Sequence, residues 1–153
     1  MFDLTYRPVR PEDYEFCRVL HHTTMYDYVK KIWGWDEALQ DQFMAEKFSD
    51  LDKWCGEIVS LDSKPVGYVV FEMRDEEIFV AEIHIEPAFQ SKGIGAEILN
   101  KFYIIQKEEN KLLSLNVLKS NPRAKQFYER EGFSQIGEND NKYFMQKKVK
   151  TDV

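Results

Sequence analysis

The chain has 153 residues, enough for one domain that buries a core without a metal or disulfide staple, and its 43% hydrophobic content argues against a disordered chain. Lys+Arg number 21 and Asp+Glu 27, a net charge of −6, which argues against nucleic-acid binding because phosphate contact needs clustered basic charge. No apolar run approaches the ~18 residues of a membrane span, and Met1 to Thr5 lacks the basic-then-apolar pattern of a signal peptide. Cys17 and Cys55 have no CxxC spacing and spell no metal motif with His21, His22 and His84, so reduced thiols in a cytoplasmic protein without a metal are expected.

The first element is a strand, from the alternation of Phe2 to Arg7. Pro11-Glu12-Asp13 opens a helix, since proline fits a first turn and carboxylates favour the positive helix end. The helical region runs to about Phe48 with a break at Trp33-Gly34-Trp35, where Asp36 can cap a second helix. Trp54 to Ser60, Val66 to Met73 and Ile78 to Ile85 are rich in β-branched and aromatic residues. With turns at Asp62 to Pro65 and Arg74 to Glu77, they predict an antiparallel meander.

A helix from Gly93 to about Glu109 follows, with Ile94, Ile98, Phe102 and Ile105 on one stripe and Asn110 as a left-handed stop. Leu112 to Leu118 is nearly all apolar, as expected of a strand buried on both faces. Pro122 to Glu131 is a short helix closed by Gly132, and a hairpin from Phe133 ends the chain. The expectation is one mixed α/β domain over 1–153: about seven mostly antiparallel strands and four helices. A helical crossover makes the fourth and fifth strands parallel.

Between the fourth strand and the third helix lies Gln90-Ser91-Lys92-Gly93-Ile94-Gly95-Ala96. A helix start carries unpaired N–H groups and partial positive charge, and glycines let an anion reach them, with Lys92 adding a formal charge. Two glycines also make an ordinary tight turn. The spelling excludes a Walker A loop and a Rossmann fingerprint, because no Lys-Ser/Thr follows Gly95 and position 98 is Ile.

This loop resembles the (Q/R)xxGx(G/A) loop of the GNAT acetyltransferases. A downstream motif of that family, N-x-x-A-x-x-F-Y-x-x-x-G-F, is matched at Asn121, Ala124, Phe127, Tyr128, Gly132 and Phe133. The resemblance covers about Val66 to Met145. It implies an N-acetyltransferase that uses acetyl-CoA as cofactor, with splayed fourth and fifth strands. The pantetheine arm would lie along Ile83, His84 and Ile85, and the pyrophosphate on amides from Ser91 to Ala96. The acceptor would be a small-molecule or peptide amine. A non-catalytic acyl-CoA sensor is the alternative, and a homodimer is left open.

Acetyl transfer needs a neutral amine and a proton for the departing thiolate, and a lysine-like amine is neutral in roughly one molecule in 10³ at pH 7. By resemblance Tyr128 is the acid; its bland reading is a core aromatic. Asn121 either bonds the cofactor or caps its helix. Glu82 is the candidate base, with His84 or a water chain as alternatives: the pair share one strand face, opposite Ile83 and Ile85. Tyr28, Trp33 and Trp35 lie in an aromatic stretch that either walls the acceptor site or packs helices.

Overall fold

The computed structural model describes residues 2–149; Met1 and the last four positions of the expected 1–153 domain lie outside the described residues. Strand β1 (Leu4–Pro8) is followed by a 3-10 turn at Pro11–Asp13 and by helices α1 (Tyr14–Trp33), α2 (Glu37–Phe48) and the single-turn α3 (Leu51–Trp54). Then come β2 (Gly56–Leu61), β3 (Lys64–Met73), β4 (Glu77–Ile85), α4 (Ile94–Glu109), β5 (Leu112–Leu118), α5 (Pro122–Arg130), β6 (Ser134–Glu138) and β7 (Lys142–Lys147). One seven-stranded sheet runs β1-β2-β3-β4-β5-β7-β6, antiparallel throughout except for the parallel pair β4/β5.

Three local expectations are corrected. Trp54 belongs to α3, not to a strand: the Asp50 carboxylate accepts from Lys53 N, and Cys55 turns the chain in the left-handed region before β2 begins at Gly56. The turn after β2 is tighter than four residues. Asp62 and Ser63, both at positive φ, make a two-residue hairpin loop, and Lys64 and Pro65 already pair in β3. Strand β5 is buried on both faces only in part: Leu113, Leu115 and Val117 lie in the core, whereas Asn116 is exposed.

Two apolar cores sandwich the sheet. Val59, Val69, Ile78, Val80 and Leu113 join Ile98, Leu99 and Phe102 of α4, with Phe127 and Tyr128 of α5 packed against them. Ile58, Tyr68 and Val70 join Cys17 and Leu20 of α1 and Met44 of α2.

Strand β4 places the site. Ile78 and Val80 face the α4 core, and so do Ile83 and Ile85; the phase changes between them. Phe71 pairs with Val80 and Val70 with Glu82, so Ala81 is an extra residue in the ladder. Such a bulge bends the strand and re-aims the side chains beyond it. It sends Glu82 and His84 to the α1/α2 side. Pairing with β5 also stops there, at Val80 with Leu115, and the two strands diverge.

Candidate active site

Two cavities open where β4 and β5 part. The first, of about 600 Å³, lies between β4, the following loop and α5, and is lined by Ile83, Ile85, Ser91, Gly93, Asn121, Arg123 and Tyr128, among others. Glu86 N–H donates to Val66 O across to β3 (2.8 Å). In an antiparallel ladder His84 and Glu82 therefore turn their backbone groups the same way, while Ile83 and Ile85 turn theirs into the gap. The Ile85 carbonyl accepts from Gln90 Nε2 (2.8 Å), which leaves the Ile83 peptide groups as the open edge.

The loop's glycines have separate reasons. Gly93 stands at φ +90° as the residue before α4, a conformation that favours glycine. Gly95 makes room for protein rather than for an anion: a Cβ there would lie 3.3 Å from the Phe127 ring. Arg123 of α5 donates to Ser91 Oγ, bringing a guanidinium to the loop. Asn121 caps α5, its side-chain oxygen accepting from Ala124 N (3.1 Å). Tyr128 packs by its ring on Phe127 and Phe133, and its hydroxyl makes no hydrogen bond among the described residues. Burial pushes that hydroxyl up to about 12, so it keeps its proton.

The second cavity, of about 910 Å³, lies on the α1/α2 side and is lined by Trp33, Trp35, Phe43, Lys47, Glu82 and Asn116, among others. Met25 lines both cavities, and a hydrogen bond joins them: His84 Nε2 lies 3.0 Å from Glu82 Oε1, His84 lining the first cavity and Glu82 the second. The other Glu82 oxygen accepts from Lys47 Nζ (3.3 Å). Burial raises the Glu82 carboxyl, but the His84 hydrogen bond and the Lys47 ammonium outweigh it and hold it at about 2. Glu82 is thus a firmly ionised carboxylate.

Because a carboxylate only accepts, His84 Nε2 carries a hydrogen. His84 Nδ1 lies 2.8 Å from Thr24 Oγ1, which lies 2.9 Å from the Leu20 carbonyl. When the Thr24 hydroxyl donates to the imidazole, His84 is neutral; when it donates to Leu20 O, Nδ1 can hold a second proton. Both states keep both ring hydrogen bonds. The neighbouring His21 is different: burial lowers it to about 3, and it is neutral.

The aromatic residues divide. Trp33 and Trp35 line the second cavity, Trp35 between the His22 and Tyr26 rings with its Nε1 donating to Glu37 (2.6 Å). Tyr28 lines the first, and its carbonyl accepts from Ser120 Oγ (2.8 Å), tying α1 to the β5–α5 connection. His22, Glu37 and Asp41 bring three ligand-type atoms together, but Arg18 supplies the cation there, its Nε 2.8 Å from Asp41 Oδ1. Sequence reading missed Lys47 and Thr24, which carry no motif. It also missed the bulge, although the shift of apolar parity from Ile78 and Val80 to Ile83 and Ile85 is a usable signal.

The model of the acetyltransferase (GNAT) family matches residues 15–133, and the chain belongs to that family. An uncharacterized N-acetyltransferase of Methanocaldococcus jannaschii is 33% identical over 86 residues, 51% of this chain and 38% of the relative; the match thus spans well under half of that protein. Among solved structures, the PaiA N-acetyltransferase of Thermoplasma acidophilum in complex with coenzyme A superposes with a TM-score of 0.77 at 18% identity, covering 95% of this chain and 99% of that one. An acetyltransferase from Thermus thermophilus gives 0.77 at 18%, covering 97% and 100%. Ard1 from Thermoplasma volcanium gives 0.69 at 20%, covering 97% and 99%. At these identities the structural likeness speaks for the fold. No described helix is long and apolar enough to cross a membrane.

Proposed function

We propose that this chain is an N-acetyltransferase that moves an acetyl group from acetyl-CoA to a primary amine by direct transfer. The observation that carries this reading is the meeting of the two cavities at the splayed edge of β4, one with open backbone groups and a helix N-terminus, the other with an ionised carboxylate. The first cavity fits the cofactor. Ile83 offers unpaired peptide groups to an amide-containing arm, the start of α4 and Arg123 offer positive charge to phosphates, and Tyr128 aims an unpartnered hydroxyl inward. When bound, acetyl-CoA supplies an activated acetyl thioester.

The chain's own residues do the rest. Tyr128, protonated, donates a hydrogen bond where the sulfur's negative charge develops. Glu82, too weak a base to keep a proton, draws the ammonium to the junction and relays its proton to water, with His84 and Thr24 holding the carboxylate in place. Water chains that reach the cleft serve the same proton. The two substrates' shared position contributes rate by orientation alone. The free thiols of Cys17 and Cys55 suit the reducing cytoplasm, where we place the reaction. A non-catalytic acyl-CoA sensor would need no second cavity at the junction.

Calorimetry with CoA, followed by an amine panel read by free-thiol release, tests the reading. CoA binding and turnover on at least one amine are expected. No CoA binding by the folded protein would overturn it.

A further inference from the structure

The second cavity has a chemistry of its own. Its charged lining residues are Asp36, Glu82, Lys47 and Lys142, two acids against two bases. The lining carries no net charge: Glu82 holds Lys47, while Asp36, whose Oδ1 accepts from Leu39 N (3.1 Å) to cap α2, keeps its charge against that of Lys142. The walls are apolar. Leu39 and Phe43 share one face of α2 at i, i+4, opposite Met25 and Trp33 of α1 and Phe79 of β4. Trp33 is 56% exposed and Leu39 and Phe43 each 42%, so three of the large apolar side chains left open to solvent converge on this one cleft.

Lys47 shows what the floor of the cleft holds. Its Nζ is a primary ammonium seated on Glu82, within 5.9 Å of the Trp54 ring centroid. A molecule that brings one nitrogen to this point lays the rest of its body on Trp33, Leu39 and Phe43. A second cation would meet Lys47 or Lys142 in a lining that is already neutral overall. From this we infer that the acceptor is a monoamine whose single primary nitrogen is carried on an aromatic or branched apolar body, and not a polyamine. The inference rests on the acetyltransferase reading and specifies its acceptor.

The test compares phenethylamine with spermidine. The protein's tryptophan emission is first titrated with each amine without cofactor; then kcat/KM is measured for each with acetyl-CoA. Phenethylamine should perturb the emission, and its kcat/KM should exceed that of spermidine at least tenfold. Trp33→Ala and Phe43→Ala should each raise the phenethylamine KM about fivefold or more, with a smaller effect on kcat and unchanged CoA affinity. A preference for spermidine, or an unchanged KM in both variants, would overturn the inference. So would sedimentation showing a dimer that Trp33→Ala dissolves, since the patch would then cover a second copy of the chain. Failure of CoA to bind would strike the acetyltransferase reading instead, while the emission titration still decides which amine the cleft takes.

Discussion

The cavity on the α5 side of β4 draws most of its lining from two short stretches, 83–96 and 121–131, and its open groups are largely main chain. The cavity on the other side draws on α1, α2, β4, β5 and β7, and its chemistry is all side chain. A peptide N–H sits wherever the strand and helix ends put it, so local sequence suffices to build the first. The Glu82–Lys47–His84–Thr24 cluster exists only once two helices are packed on a bulged strand. The first cavity should therefore tolerate side-chain changes that keep its backbone, and the second should not.

The largest effect expected is an exception within the first cavity, at the side chain that faces the departing sulfur. Tyr128→Phe keeps the ring and removes the donor, and turnover should fall by roughly 10²-fold or more with CoA affinity nearly unchanged. Steady-state kinetics beside calorimetry would separate the two, and normal turnover would return Tyr128 to the core aromatics. On the opposite side, Glu82→Gln leaves Lys47 without its counter-charge. We expect kcat/KM for the amine to drop about 10- to 100-fold while CoA binding holds; an unaltered rate would hand proton removal to water.

Backbone dependence is sharpened by two changes in the loop. Gly93→Val asks a β-branched residue to hold φ +90°, and CoA affinity should weaken at least tenfold, about 1.4 kcal/mol. Lys92→Ala leaves the main chain as it is and should cost less than about threefold, because an exposed charge is screened. Calorimetry that ranks these two the other way would show that side chains, not amides, hold the phosphates.

The two sides should also fail at opposite ends of the pH scale. His21 drops from 6.5 to about 3 on burial, so between those values the unfolded chain binds a proton that the folded chain does not, and stability falls as pH falls. Glu82, held at about 2 against 4.5, adds to the same loss at lower pH. Tyr128 is raised from 10 to about 12, so its contribution is present below pH 10 and lost as pH rises toward 12. Melting curves of His21→Gln should flatten the acid limb and those of Tyr128→Phe the alkaline limb. Identical limbs in wild type and variants would remove these groups from the account.

Much of the fold was legible because local rules act on local sequence. The Asn110 stop, the Asp36 and Asn121 caps and the limits of β5 are all set by residues within one turn of them. Trp54 misled because an aromatic residue suits a strand, while the Asp50 cap four residues earlier started a helical turn. Sequence by itself also determined the family, since its motifs depend on spacing along the chain. Tertiary structure decided the rest. Asn116 faces a cleft, not a core, because β4 leaves β5 after Val80. Glu82 is an anion shared by His84 and Lys47, because the bulge at Ala81 turns it toward a helix 35 residues earlier in the chain. No periodicity encodes such a meeting: it depends on where packed elements end in space, and the free energy that holds it comes from cores the site does not contain.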